Sequence, residues 1–156
     1  MSIVRWSFPQ LSKFHLHLTI DAIVENPPRD EETAEKWLND LVESVEMVKL
    51  GGPWVTYCDD PDNRGLTGVV WLTTSHSSFH FWDNCEQPFV KFDIYSCRDY
   101  DLDLVTSYFD EAFGIVKGSW TYMDRSHPYE LPIIKQGRIS GGVMERPKKQ
   151  SWWKRF

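Results

Sequence analysis

The sequence predicts an α+β fold, a two-layer α/β sandwich with a mainly antiparallel sheet and two helices on one face. Three observations predict it. Several short segments alternate apolar and polar residues, the period of a half-buried strand. Two longer segments repeat their apolar residues every three or four positions, the period of an amphipathic helix. The order reads β-α-β-β-β-β-α-β, and turn-length connections between successive strands favour antiparallel hairpins. At 156 residues, 41% of them hydrophobic and 26% charged, the chain can bury one core and does not read as disordered.

Residues 14–24 alternate strictly. Phe14, Leu16, Leu18, Ile20 and Ala22 face one way, and His15, His17, Thr19 and Asp21 the other. Pro27-Pro28 breaks this strand. Residues 30–50 predict a helix, with Ala34, Leu38, Leu41, Val45 and Val48 on one side. Asp30 is its N-cap, Glu31 and Glu32 suit its first turn, and Gly51-Gly52-Pro53 ends it. A short strand at 54–58 follows, then a turn cluster at 59–65. Residues 66–74 form a nearly continuous apolar strand and 75–82 a further extended piece. After a turn at 83–88, residues 89–96 alternate again. Residues 102–113 are the second helix, lined by Leu102, Val105, Phe109 and Ala112 and stopped by Gly114. Residues 115–123 read as the last strand, and the chain beyond Arg125 as loop-rich with weak strand character. No internal repeat or long linker interrupts this order. Residues 1–124 therefore read as one domain and 125–156 as a C-terminal extension with a basic, aromatic tail. The sheet face without helices must be solvated or covered by a second subunit. The aromatic content of 15% favours a second copy of the chain, hence a homodimer.

The net charge of −6 argues against general nucleic-acid binding. It is unevenly spread: residues 145–156 hold five Lys or Arg against one Glu, so an acidic body precedes a basic tail. An acidic body suits a cationic small substrate better than a phosphate-rich one. No apolar run is long enough for a membrane span, and the first residues lack a signal peptide's apolar stretch, so the expected location is cytoplasmic. Cys58, Cys85 and Cys97 are odd in number and contain no CxxC pair, which predicts thiols rather than a disulfide framework.

The chemistry-bearing residues concentrate in TTSHSSFHFW, residues 73–82, and in DIYSC, residues 93–97. Hydroxyl, imidazole and thiol brought together across a hairpin supply a nucleophile, a base and a proton donor. His15 with His17, and His76 with His80, could each share a strand face and together hold zinc. No carboxylate-bearing metal motif accompanies them, and the expectation is no metal.

The segment SHSSFHFW followed by DIYSC resembles the processing and active-site region of the short prokaryotic and phage class of S-adenosylmethionine decarboxylases. HLTID, residues 17–21, resembles that family's first strand, and GLTGVVWL, residues 65–72, the strand that leads into its processing site. The resemblance runs over about residues 14–124 in the same order. It implies a self-processing proenzyme whose cofactor is a pyruvoyl group made from its own serine, a Schiff-base electron sink for decarboxylation. By this similarity the chain is cut between Thr74 and Ser75, and Ser75 is the pyruvoyl precursor. His80 is the processing histidine, Thr67 assists processing, and Cys97 is the proton donor in decarboxylation. Asp83 or Glu86 stands in for the family's ribose-binding Glu. The implied substrate is S-adenosylmethionine, and the product feeds polyamine (spermidine) synthesis. The chain departs from the family pattern at Thr74, where the family has Glu, and at Arg98, where it has Gly. The turn after Trp82 also differs. These departures keep two alternatives open, a pyruvoyl decarboxylase of ornithine or arginine and an unprocessed, non-enzymatic homologue.

Overall fold

The computed structural model describes residues 14–127 and 129–145. Eight strands form one antiparallel sheet: β1 (Leu16–Val24), β2 (Lys49–Cys58), β3 (Gly65–Leu72), β4 (Ser75–Trp82), β5 (Phe89–Ser96), β6 (Ile115–Asp124), β7 (Ile133–Ser140) and β8 (Val143–Glu145). Their spatial order is β2-β3-β4-β5-β1-β6-β7-β8. Helices α1 (Glu31–Ser44) and α2 (Leu102–Phe113) cover one face. The α+β sandwich expected from the sequence is the fold observed.

The alternation of β1 explains its central place. Leu16, Leu18, Ile20, Ala22 and Val24 are buried beneath the helices, while His17, Thr19 and Asp21 stay partly exposed on the other face. β4 and β5 follow the same rule, burying Ser77, Phe79 and Phe81 in one and Val90, Phe92 and Ile94 in the other. Trp37 of α1 centres the core. Its ring lies 4.7 Å from Phe113 and 5.8 Å from Phe109 of α2, and 5.7 Å from Phe92 and 6.2 Å from Phe79 of the sheet. Such tilted and edge-on aromatic pairs add to the area they bury. Asp30 caps α1 by accepting from Thr33 N–H at 2.7 Å, and Asp101 caps α2 through Asp103 and Leu104 N–H. Tyr100 ties β1 to β5: its hydroxyl accepts from Leu18 N–H and donates to the Ile94 carbonyl, both at 3.1 Å.

Two parts of the chain differ from expectation. Helix α1 stops at Ser44 although the apolar period runs on to Val48, and β2 begins at Lys49, absorbing Gly51-Gly52-Pro53 through two register shifts. The stop is a Schellman closure: Glu46 N–H donates to the Glu43 carbonyl and Met47 N–H to the Val42 carbonyl, both at 3.0 Å. Glu46 takes the left-handed conformation at φ 53° that this closure requires, a place usually held by glycine. Glu46→Gly should therefore stabilise the fold by about 1 kcal/mol. A thermal unfolding scan should show its midpoint raised by about 2–4 °C.

The second difference is that the stretch beyond Arg125 carries a hairpin, β7 and β8, which extends the sheet from β6. Ile139 is the one fully buried residue of β7, so the strand lacks the alternation that marks the others. Its turn, Gly141-Gly142, has φ of 55° and 75°, the positive pair that a tight two-residue hairpin demands. The basic aromatic tail, including Trp152 and Trp153, lies outside the described residues. No helix among the described residues is long and apolar enough to cross a membrane.

Candidate active site

The helix-free face of the sheet carries the polar residues of β1, β3, β4 and β5. Strand pairing decides which of them meet. Ser75 pairs with Leu72 on one side and Ser96 on the other, so the β3–β4 turn, Thr73-Thr74, lies beside the end of β5. There the main-chain N–H of Cys97 donates to the Thr74 carbonyl oxygen at 2.9 Å. The turn is also tied down by Thr73 N–H, which donates to Val48 O at 2.9 Å. Ser75 opens β4 with φ at 147°, a range that residues with a Cβ rarely adopt. A backbone held there costs on the order of 1–3 kcal/mol and persists only where the surroundings impose it. The Thr74–Ser75 peptide thus joins a strained, half-buried serine to a carbonyl already polarised by a hydrogen-bond donor.

Beside it, the Ser75 hydroxyl lies 3.1 Å from His76 Nδ1. His76 Nε2 lies 3.5 Å from Asp93 Oδ2, and that same oxygen is 3.0 Å from His17 Nε2. Ser78 Oγ donates to the other oxygen, Oδ1. Burial alone would raise the Asp93 carboxyl. The hydrogen bonds from His17 and Ser78, with the charges of His17 and His76, outweigh it and hold Asp93 below the usual carboxylate range. The group is therefore an ionised carboxylate at neutral pH. Arg125 lies over the Tyr95 ring at 4.5 Å and contacts His17 Nδ1 at 3.3 Å, closing the cluster on the far side.

A second constellation sits farther along β4. Thr67 Oγ1 and His80 Nδ1 are 2.5 Å apart across the β3–β4 pair. The His80 and Trp82 rings lie 4.1 Å apart, and Trp82 Nε1–H donates to Asn63 at 2.9 Å. Thr67, His80 and Trp82, with His17, Thr19, Asp21, Ser78, Lys91 and Asp93, line an open depression of about 520 Å³. Burial pushes the His80 imidazole below its ordinary value, against smaller upward pulls from the Asn63 main chain and the Asp83 carboxylate. The fold therefore prefers neutral His80, and that preference is lost as pH falls through the lowered value while the unfolded chain takes up its proton earlier. Between pH 7 and pH 5 the wild type should lose more stability than His80→Gln, which has nothing to titrate there. Chemical denaturation of both proteins across that range checks it.

The structure brings Thr74, Ser75 and Cys97 together, and it brings Thr67 and His80 together. It does not bring the two groups together within one chain. Ser75 and His80 are five residues apart on one strand, about 16 Å along it. Asp83 lies farther still from Ser75, its carboxylate accepting from the Tyr57 hydroxyl at 3.2 Å, and Glu86 is exposed in the β4–β5 turn. The histidines considered as two metal-binding pairs also separate, with His17 and His76 turned to Asp93 and His80 to Thr67. Arg98 fits without strain, because the non-glycine residues at positive φ among those described are Glu46 and Ser75. Its guanidinium donates to the Glu46 carbonyl at 3.1 Å. Thr74 turns its hydroxyl toward the Met47 sulfur at 3.9 Å. Sequence reasoning missed Asp93 as a hub. The signal was present: Asp93 alternates with Lys91 and Tyr95, and antiparallel pairing of β5 with β1 and β4 sets it beside Thr19 and Ser78.

Comparison with known proteins identifies the family. A family model described as S-adenosylmethionine decarboxylase matches residues 16–126. An S-adenosylmethionine decarboxylase proenzyme from Archaeoglobus fulgidus is 27% identical over 101 residues, covering 65% of this chain and 80% of that one.

Proposed function

The chain belongs to the S-adenosylmethionine decarboxylase family, and on that premise we propose that it is a precursor that cuts itself between Thr74 and Ser75 and then decarboxylates S-adenosylmethionine. The observation that carries this reading is the Thr74–Ser75 peptide: Ser75 strained at φ 147°, its neighbour's carbonyl oxygen held by Cys97 N–H. Attack by Ser75 Oγ on the Thr74 carbonyl carbon puts negative charge on the oxygen that this N–H already faces, the arrangement of an oxyanion hole. The C–N bond then breaks and the nitrogen takes a proton, leaving an ester and a free amine. Loss of the Ser75 Cα proton with cleavage of Cβ–Oγ releases residues ending in the Thr74 carboxylate. Hydrolysis of the remaining enamine as its imine tautomer yields ammonia and the pyruvoyl group.

The position fits that group. Ser75 heads β4 beside a main-chain donor and Cys97, partly shielded from solvent. Once formed, the pyruvoyl carbonyl supplies an electron sink for decarboxylation. The Cys97 thiol, held at the same strand end, delivers the proton that replaces CO2 on the substrate carbon. The Thr67–His80 pair, the His80 and Trp82 rings, and Asp83 or Glu86 form the second part of the site, suited to a nucleoside by aromatic rings and carboxylates. Because that part lies about 16 Å from Ser75 within one chain, it acts on the Ser75 of a second copy laid across the helix-free face. Such a homodimer also covers Trp54 and Trp71, each about half exposed on that face. The product is the aminopropyl donor for spermidine synthesis in the cytoplasm.

The test is the intact mass of the purified protein, followed by CO2 release from carboxyl-labelled S-adenosylmethionine, ornithine and arginine. Two fragments meeting at Thr74–Ser75 and CO2 from the sulfonium substrate support the reading. CO2 from an amino acid alone would change the substrate. A chain that stays whole and inert would make this an unprocessed homologue.

A further inference from the structure

We infer that His76 is the base that activates Ser75 in its own chain, and that Asp93 orients it. The inference rests on the self-cleavage proposed above and assigns its first proton transfer. Ser75 Oγ, His76 Nδ1, His76 Nε2 and Asp93 Oδ2 follow one another at 3.1 Å and 3.5 Å across the ring. This is the order of nucleophile, base and orienting carboxylate that recurs on unrelated folds where a hydroxyl attacks a carbonyl. With Nε2–H turned to Asp93, the lone pair of Nδ1 faces the hydroxyl. His80 is placed otherwise: five residues along β4, with Nδ1 engaged by Thr67, it cannot reach Ser75 of the same chain.

The proton balance closes on this one ring. Nδ1 takes the hydroxyl proton as Oγ bonds to the Thr74 carbonyl carbon. It returns that proton to the Ser75 nitrogen as the C–N bond breaks, so the ester forms with no net proton released. Asp93 is committed to the task, since its other contacts, from His17 and Ser78, are donors that keep it an acceptor. Neither His76 nor Ser75 is locked in the core, both being only partly buried. Replacing His76 therefore removes a functional group without opening a cavity.

The experiment follows splitting of freshly synthesised full-length precursor by mass, with no substrate present. His76→Ala should split about 100-fold or more slowly than wild type, the range for loss of a general base. Added imidazole should restore part of the rate to His76→Ala and none to His76→Phe, whose ring fills the space. Asp93→Asn should slow the wild type yet add nothing on top of His76→Ala, because it acts through that ring. A merely structural Asp93 would add its loss to the other. Splitting of His76→Ala at the wild-type rate would overturn the inference while leaving self-cleavage standing. A wild-type precursor that never splits would overturn the self-cleavage reading itself, and the base role with it.

Discussion

Ser75→Ala gives one uncut chain of 18.4 kDa and no CO2 release above background. The substitution removes the one hydroxyl that can attack the Thr74 carbonyl, so neither the ester nor the electron sink derived from it can form. An electron sink cannot be replaced by the surrounding side chains, whose roles are proton transfer and binding. The expected loss is thus the whole catalysed rate, at least about 10⁶-fold. The fold should survive, because Ala retains a Cβ and meets the same backbone demand at φ 147° that Ser75 meets. Circular dichroism and a thermal scan close to those of the uncut precursor would show this. Intact mass decides the matter: a Ser75→Ala protein that still splits at this peptide would remove Ser75 from its role.

Much of the fold was legible because burial writes a period into the chain. β1, β4 and β5 alternate since each has one face under the helices and one face open, and counting from Ile20, Phe79 and Phe92 assigns His17, His76, His80 and Asp93 to the open face, while Ser75, at the head of β4, falls on the opposite parity. The end of α1 was not legible, because Val45 and Val48 continue the apolar spacing while the stop is made by main-chain bonds around a non-glycine residue, Glu46. β7 was not legible because a nearly solvent-exposed edge hairpin needs no alternation. At the site, the sequence told which residue types gather near Ser75 but not which strands neighbour one another. The order β4-β5-β1 is what sets Asp93 between His17 and His76, residues far apart in the chain. Ser75 and His80 share β4 and are parted by the rise along that one strand, although five residues in sequence suggest closeness.

Cys97→Ala should separate the two jobs gathered at the end of β5. The bond that holds the Thr74 carbonyl comes from the Cys97 main chain, and any residue other than proline retains it. The variant precursor should therefore still split at Thr74–Ser75. Decarboxylation should suffer instead, because the thiol is the proton donor proposed for that step. Loss of a positioned acid costs about 10²–10⁴-fold, and the loss should fall on kcat with KM little changed, since the thiol acts on the carbon that has lost CO2 and not on the groups that bind the substrate. A steady-state comparison of wild type and Cys97→Ala after complete splitting of both isolates the second job. If kcat is retained, another acid returns the proton. If the variant does not split, the side chain as well as the main chain of residue 97 takes part in opening the Thr74–Ser75 peptide.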